Sequence, residues 1–108
     1  LINKHISRVT KNLYKKNIHD SVKRATLRSL GLIDIPEKNW GELVDVCFQL
    51  LMDKEPTGVK MFSMCILQNI SMTIPELQKE LKIVLEDQMP FGTAGFKSRA
   101  RKIIAGLD

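Results

Sequence analysis

Long hydrophobic runs are missing from this 108-residue chain. A membrane-crossing helix needs roughly 20 consecutive apolar residues, so no membrane span is expected. Cysteine is scarce. Cys47 and Cys65 stand far apart with no C-x-x-C pair, which leaves a zinc site without ligands and suits a reducing compartment. His5 and His19 fall at no metal-ligand spacing to either thiol. Aromatics make up only 6% of the residues, so few side chains are available to stack on bases. No glycine-flanked serine forms a nucleophile elbow, and no glycine-rich loop with lysine forms a phosphate cradle. These absences leave no catalytic motif. A non-enzymatic protein without cofactor or metal is the expectation, and with no secretory leader in view it is expected to be cytoplasmic.

What is present reads as one soluble domain over residues 1–108. Apolar residues make up 44% and charged residues 27%, the balance of an ordinary globular chain. The net charge of +5 is unevenly spread. Residues 1–30 hold eight basic side chains against Asp20, residues 31–90 hold five against ten acids, and residues 91–108 hold four against Asp108. Basic ends therefore flank an acidic middle.

Apolar residues recur at intervals of three and four, the period of an amphipathic helix. Ile2, Ile6, Val9 and Leu13 mark a first helix. Asp20 is the expected N-cap of a second helix carrying Val22, Ala25, Leu27 and Leu30, with Gly31 at its end. Asn39 and Glu42 are spaced as a capping box for a third, faced by Trp40, Leu43, Val44, Cys47, Leu50 and Leu51. Pro56 suits the first turn of a fourth. That helix carries Val59, Phe62, Met64, Ile66, Leu67 and Ile70, is apolar on more than one side, and should be the most buried. Thr73 and Pro75 open a fifth, with stripe Leu77, Leu81, Val84 and Leu85. After the breakers Met89-Pro90-Phe91-Gly92, Thr93 caps a sixth with Phe96, Ala100, Ile103, Ile104 and Leu107. No segment reads as a strand.

The spacing adds a second level. Odd helices begin near Leu1, Trp40 and Pro75, even ones near Ser21, Pro56 and Ala94, so helix pairs repeat about every 35 to 39 residues. That period belongs to HEAT- or armadillo-like solenoids. The expected fold is all-α: six helices as three antiparallel pairs in a right-handed α-α superhelix. The chain opens at Leu1 already in helical pattern, so it is expected to be the C-terminal part of a longer repeat protein. The apolar first helix would be a possible self-association edge.

Residues 55–107 also carry particular elements in order: Glu55-Pro56-x-x-Val59-Lys60-x-Phe62-x-Met64, Asn69-Ile70-Ser71, Pro75-Glu76-Leu77, Leu85-Glu86-Asp87-Gln88-x-Pro90, and Thr93-Ala94-Gly95-Phe96-Lys97-Ser98-Arg99-Ala100-Arg101-Lys102. In these the chain resembles a small bacterial family of HEAT-like repeat proteins, distantly similar to DNA-alkylation-repair-type repeats. Residues 1–54 share only the helical periodicity. The resemblance implies an α-solenoid and carries no particular activity with it.

Two candidate surfaces follow. Equivalent helices of a solenoid line one face, so Arg24 and Arg28, Lys60, and Lys97 and Arg101 are candidates for one basic binding surface; the bland alternative is a solvated helix face. Thr93, Ala94 and Gly95 with Lys97 are candidates for an anion site at a helix N-terminus, against simple turn and cap roles. Glu42 and Asp45 near Trp40 are placed as a base-excision site would need, although Trp40 reads better as a core anchor. The function expected is macromolecular binding, of a protein first, with phosphate-backbone binding to nucleic acid as the alternative.

Overall fold

The computed structural model describes the backbone of residues 2–107 and the side chains of residues 5–107. Leu1, Asp108 and the side chains of residues 2–4 lie outside the described residues, and with them part of the proposed N-terminal edge. Six α-helices account for most of the rest, with no strand among the described residues: α1 (Ile2–Asn12), α2 (Asp20–Leu32), α3 (Trp40–Met52), α4 (Thr57–Ser71), α5 (Pro75–Gln88) and α6 (Ala94–Gly106). Short 3₁₀ turns at Glu37–Asn39 and Met89–Phe91 lead into α3 and out of α5.

The helices stack in two layers. Odd helices pack α1 on α3 and α3 on α5; even helices pack α2 on α4 and α4 on α6. The layers meet where α3, α4, α5 and α6 pack as successive partners. The shortest dimension of the molecule is 18 Å, the thickness of two helix layers whose axes lie about 8–10 Å apart.

Helix α4 sits at the centre, against α2, α3, α5 and α6. Its excess of apolar residues explains this: Val59, Met64, Ile66, Leu67 and Ile70 are all buried. Leu43, Val46, Cys47 and Leu51 of α3, Leu81 and Leu85 of α5, and Phe96, Ala100 and Ile103 of α6 close the core around it.

Several local expectations change. His19, not Asp20, occupies the cap of α2, and its Nδ1 accepts from the Ser21 amide at 3.1 Å. Asp20 instead lies in the first turn, where its charge still meets the positive helix end. Gly31 does not end α2, which runs to Leu32 with no glycine at positive φ. The buried face of α2 is Lys23, Leu27 and Leu30, whereas Val22 is 53% exposed and Ala25 is exposed too. Lys23 turns inward on the same side as Leu27 and Leu30 and pairs there with Glu55 at 2.8 Å.

The Asn39–Glu42 capping box is not formed. Asn39 has helical backbone (φ −94°, ψ −6°) because the 3₁₀ turn feeds straight into α3, whereas a cap needs extended backbone. Its buried amide oxygen accepts no bond, and Glu42 accepts from Ser7 instead. Pro56 is the extended cap residue of α4 rather than part of its first turn, and Ile74 rather than Thr73 precedes Pro75 at the start of α5. Thr93 caps α6 as expected: its Oγ1 accepts from the Phe96 amide at 3.2 Å.

Candidate protein-interaction groove

On the even layer, two helical stripes face one another. Ser21, Arg24, Ala25 and Arg28 of α2 follow the i, i+3, i+4, i+7 pattern, and so do Gly58, Met61, Phe62 and Cys65 of α4. That pattern lines up one side of a helix. Because α2 and α4 are neighbours in one layer, the stripes bound a groove of about 620 Å³, to which α6 contributes Arg99. The floor is apolar and half-buried, built from Met61, Phe62 and Cys65, and the rim is basic.

The sequence provides this shape in two steps. Helix α4 has apolar residues beyond those the core can take, and Met61, Phe62 and Cys65 are the surplus that floors the groove. Gly58 then lets Arg24 lie against the start of α4, since a Cβ at position 58 would stand 3.0 Å from the Arg24 Cδ. Long basic side chains routinely run their stems over such a surface and hold the charge at its edge. No carboxylate lines the groove. Among the described residues the one ion pair found is Lys23–Glu55, on the opposite side of α2.

The five basic residues singled out in the sequence occupy three separate places. Arg24 and Arg28 share the groove. Lys60 lies on another side of α4, in a cleft of about 100 Å³ with Glu55, Thr57, Gln88 and Thr93. Its Nζ donates to Gln88 Oε1 at 3.4 Å and stands 5.9 Å from the centre of the Phe96 ring. Burial holds its ammonium pKa below the ordinary lysine range, against the pull of Glu55 and Asp53. Lys97 and Arg101 lie in a third cleft between α5 and α6, with Glu86, Met89, Pro90 and Ile104. The five candidates thus line three clefts; on α6, Lys97 and Arg101 each lie two residues, about 200° around the helix, from Arg99, which lines the groove.

Of the Thr93-Ala94-Gly95-Lys97 set, Thr93 joins the Lys60 cleft and Lys97 does not. The Thr93 hydroxyl is engaged twice, by the Phe96 amide and by Thr57 Oγ1 at 2.9 Å; Ala94 and Gly95 are exposed at the start of α6. Arg99 is the groove residue that sequence pattern missed. It belongs to no stripe with Arg24 and Arg28, and only the stacking of α6 on α4 brings it there.

Trp40 is a half-buried anchor, its Nε1 donating to the Ile35 carbonyl at 2.9 Å. The acids near it are committed elsewhere: Asp45 accepts from Tyr14 at 2.5 Å and from Gln49, and Glu42 accepts from Ser7. Burial first, then Asp45, raises the Tyr14 pKa. Cys47 and Cys65 are both free thiols. No group of three metal-ligating side chains occurs among the described residues, and no helix is long and apolar enough to cross a membrane. At the N-terminal end, Ile6 and Val9 of α1 and Leu30 and Ile33 near the end of α2 line a cleft of about 410 Å³.

Comparison with known proteins returns one family. The profile described as HEAT repeat domain matches residues 1–107, a span that includes the N-terminal half, where sequence pattern offered only periodicity. No curated protein and no solved structure matches the chain.

Proposed function

The chain belongs to the HEAT repeat domain family, and from that premise we propose that it is a non-enzymatic α-α solenoid module that binds a partner protein in the α2–α4 groove. HEAT repeats generally mediate protein interactions, by presenting the face of one helix layer as an extended surface. The observation that carries the proposal is the groove itself: an apolar floor with a rim of Arg24, Arg28 and Arg99. Partner-binding surfaces combine a desolvated apolar centre, rich in aromatic and Met side chains, with a polar rim where Arg is favoured.

Nucleic-acid binding has weaker support. Phosphate-backbone affinity grows with the number of neutralised phosphates, and the division of the basic residues among three clefts works against a long continuous track. The groove offers one aromatic, Phe62, for stacking. A cytoplasmic setting suits the two free thiols.

Site-specific photo-cross-linking tests the proposal. A cross-linking residue at Ala25, exposed in the groove, is compared with one at Ala105, exposed on α6 outside it. Protein adducts from cell extract that form at Ala25, survive nuclease and are missing at Ala105 are the expected result. Adducts that vanish with nuclease, or that form equally at both positions, overturn it.

A further inference from the structure

We infer that the groove takes an acidic protein segment that seats an apolar side chain on Met61 and Phe62 while its carboxylates engage Arg24, Arg28 and Arg99. This rests on the groove being the binding face and names the chemistry of what binds.

The choice of cation is the first argument. Three of the five arginines in the sequence line the groove, and none of the described lysines does, although lysines number twelve. A guanidinium offers a planar fork that meets a carboxylate through two parallel hydrogen bonds, whereas an ammonium is a point charge. A surface that merely needed solvation or net positive charge would draw on both.

The second argument is neutralisation. These guanidiniums have no ionic partner among the described residues and no carboxylate beside them in the lining. No carboxylate of the described residues competes for them, so a partner's carboxylates can engage all three. The third argument is the floor. Met61, Phe62 and Cys65 are half-buried, between two basic edges. A thioether and a ring adapt to an apolar anchor side chain, while a phosphate backbone has nothing to place there. Length fits as well. Each stripe covers seven residue steps, from Ser21 to Arg28 and from Gly58 to Cys65, or about 10 Å at 1.5 Å per residue. That accommodates roughly two turns of a helix or three extended residues.

Methyl NMR of the full chain tests the inference with three probes: a Glu-rich peptide with a central Leu-Phe pair, the same peptide with Lys for every Glu, and an oligo-dT strand. The acidic peptide is expected to shift the Met61 methyl and leave the exposed Met52 and Met72 methyls in place. Affinity should fall about threefold with Arg28→Gln and again with Arg99→Gln, with Arg28→Lys recovering only part of it. All three changes are at exposed side chains and leave the core intact. The inference is overturned if Met61 does not respond to the acidic peptide, if the Lys peptide binds as well, if oligo-dT displaces the peptide at equal concentration, or if both Gln variants bind unchanged. Failure here with Ala25 adducts still forming removes the acidic partner and leaves protein binding standing. Failure of both experiments removes the groove as a binding face.

Discussion

Lys23 and Glu55 meet at 2.8 Å with side chains only 6% and 10% exposed. Removing one member of a buried pair strands the other charge, which costs about 3 kcal/mol or more, whereas replacing both by apolar residues of similar volume is often neutral. Glu55→Ala should therefore lower the urea-unfolding free energy by roughly 3 kcal/mol, and Lys23→Met with Glu55→Leu should restore most of it. If the double variant is no better than the single, a charge-specific account of the site fails. A second residue-scale effect is set by pH. Burial pushes the Cys47 thiol from its ordinary 9.0 up to about 12, the Ser63 hydroxyl pulling weakly the other way. The folded state keeps its proton while the unfolded thiol loses one, so this stabilising contribution is complete below pH 9 and declines as pH rises from 9 toward 12. By pH 10 the loss is about 1.4 kcal/mol. Tyr14, also raised, adds to the decline at higher pH, and Lys60, lowered, opposes it. Urea midpoints measured from pH 8 to 10 should fall for the native chain and fall less for Cys47→Ala; parallel curves would remove Cys47 as the cause.

At the scale of elements, position along the chain decides what a glycine is for. A Cβ at Gly41 in α3 meets nothing within 4 Å, whereas one at Gly92 would stand 2.5 Å from Cδ1 of the Phe96 ring. Gly41→Ala should thus stabilise by about 0.5 kcal/mol through helix propensity. Gly92→Ala should destabilise by roughly 1–3 kcal/mol, because a fully buried ring must move to admit the methyl. Thermal unfolding of the two variants side by side checks the opposite signs. The helices were legible in sequence because their apolar residues keep the 3.6-residue period from Ile6 through Leu107. Their ends were less so. Asp20, Asn39 and Thr73 have cap-forming side chains, but a cap also needs extended backbone at one particular residue: the helix already includes Asp20 behind an extended His19, a 3₁₀ turn makes Asn39 helical, and the extended residue before Pro75 is Ile74. Thr93 was legible because Gly92 and the extended backbone before α6 agree with its side chain. Of the groove, Arg24 and Arg28 could be paired by their i, i+4 spacing, and the surplus apolar side of α4 hinted at a floor. Arg99 could not be placed, since its neighbours come from a helix more than thirty residues away in the chain.

Across the whole molecule the helices are not equally supported. Helix α4 touches four others, and α1 rests chiefly on α3 and the 3₁₀ turn before it. Local stability follows such packing. Hydrogen exchange should find the slowest amides in α4 and the fastest helical ones in residues 5–12 of α1, with α6 between. Uniform protection across the helices would mean that the layers open only as one unit.

Lys23 and Arg24 are chain neighbours that leave α2 on opposite sides, one toward Glu55 and the other across Gly58. Apolar helix faces can slide past one another by a turn, about 5.4 Å, and find other apolar contacts. A slide of α2 along α4 would leave the Lys23 ammonium indoors without its carboxylate. The buried pair thus works as an indexing pin: it sets which turn of α2 stands opposite which turn of α4, and so it sets the span between the Arg24–Arg28 edge and the Met61–Phe62 floor. A change at Glu55, which the groove never touches, would loosen the calibre of the groove itself.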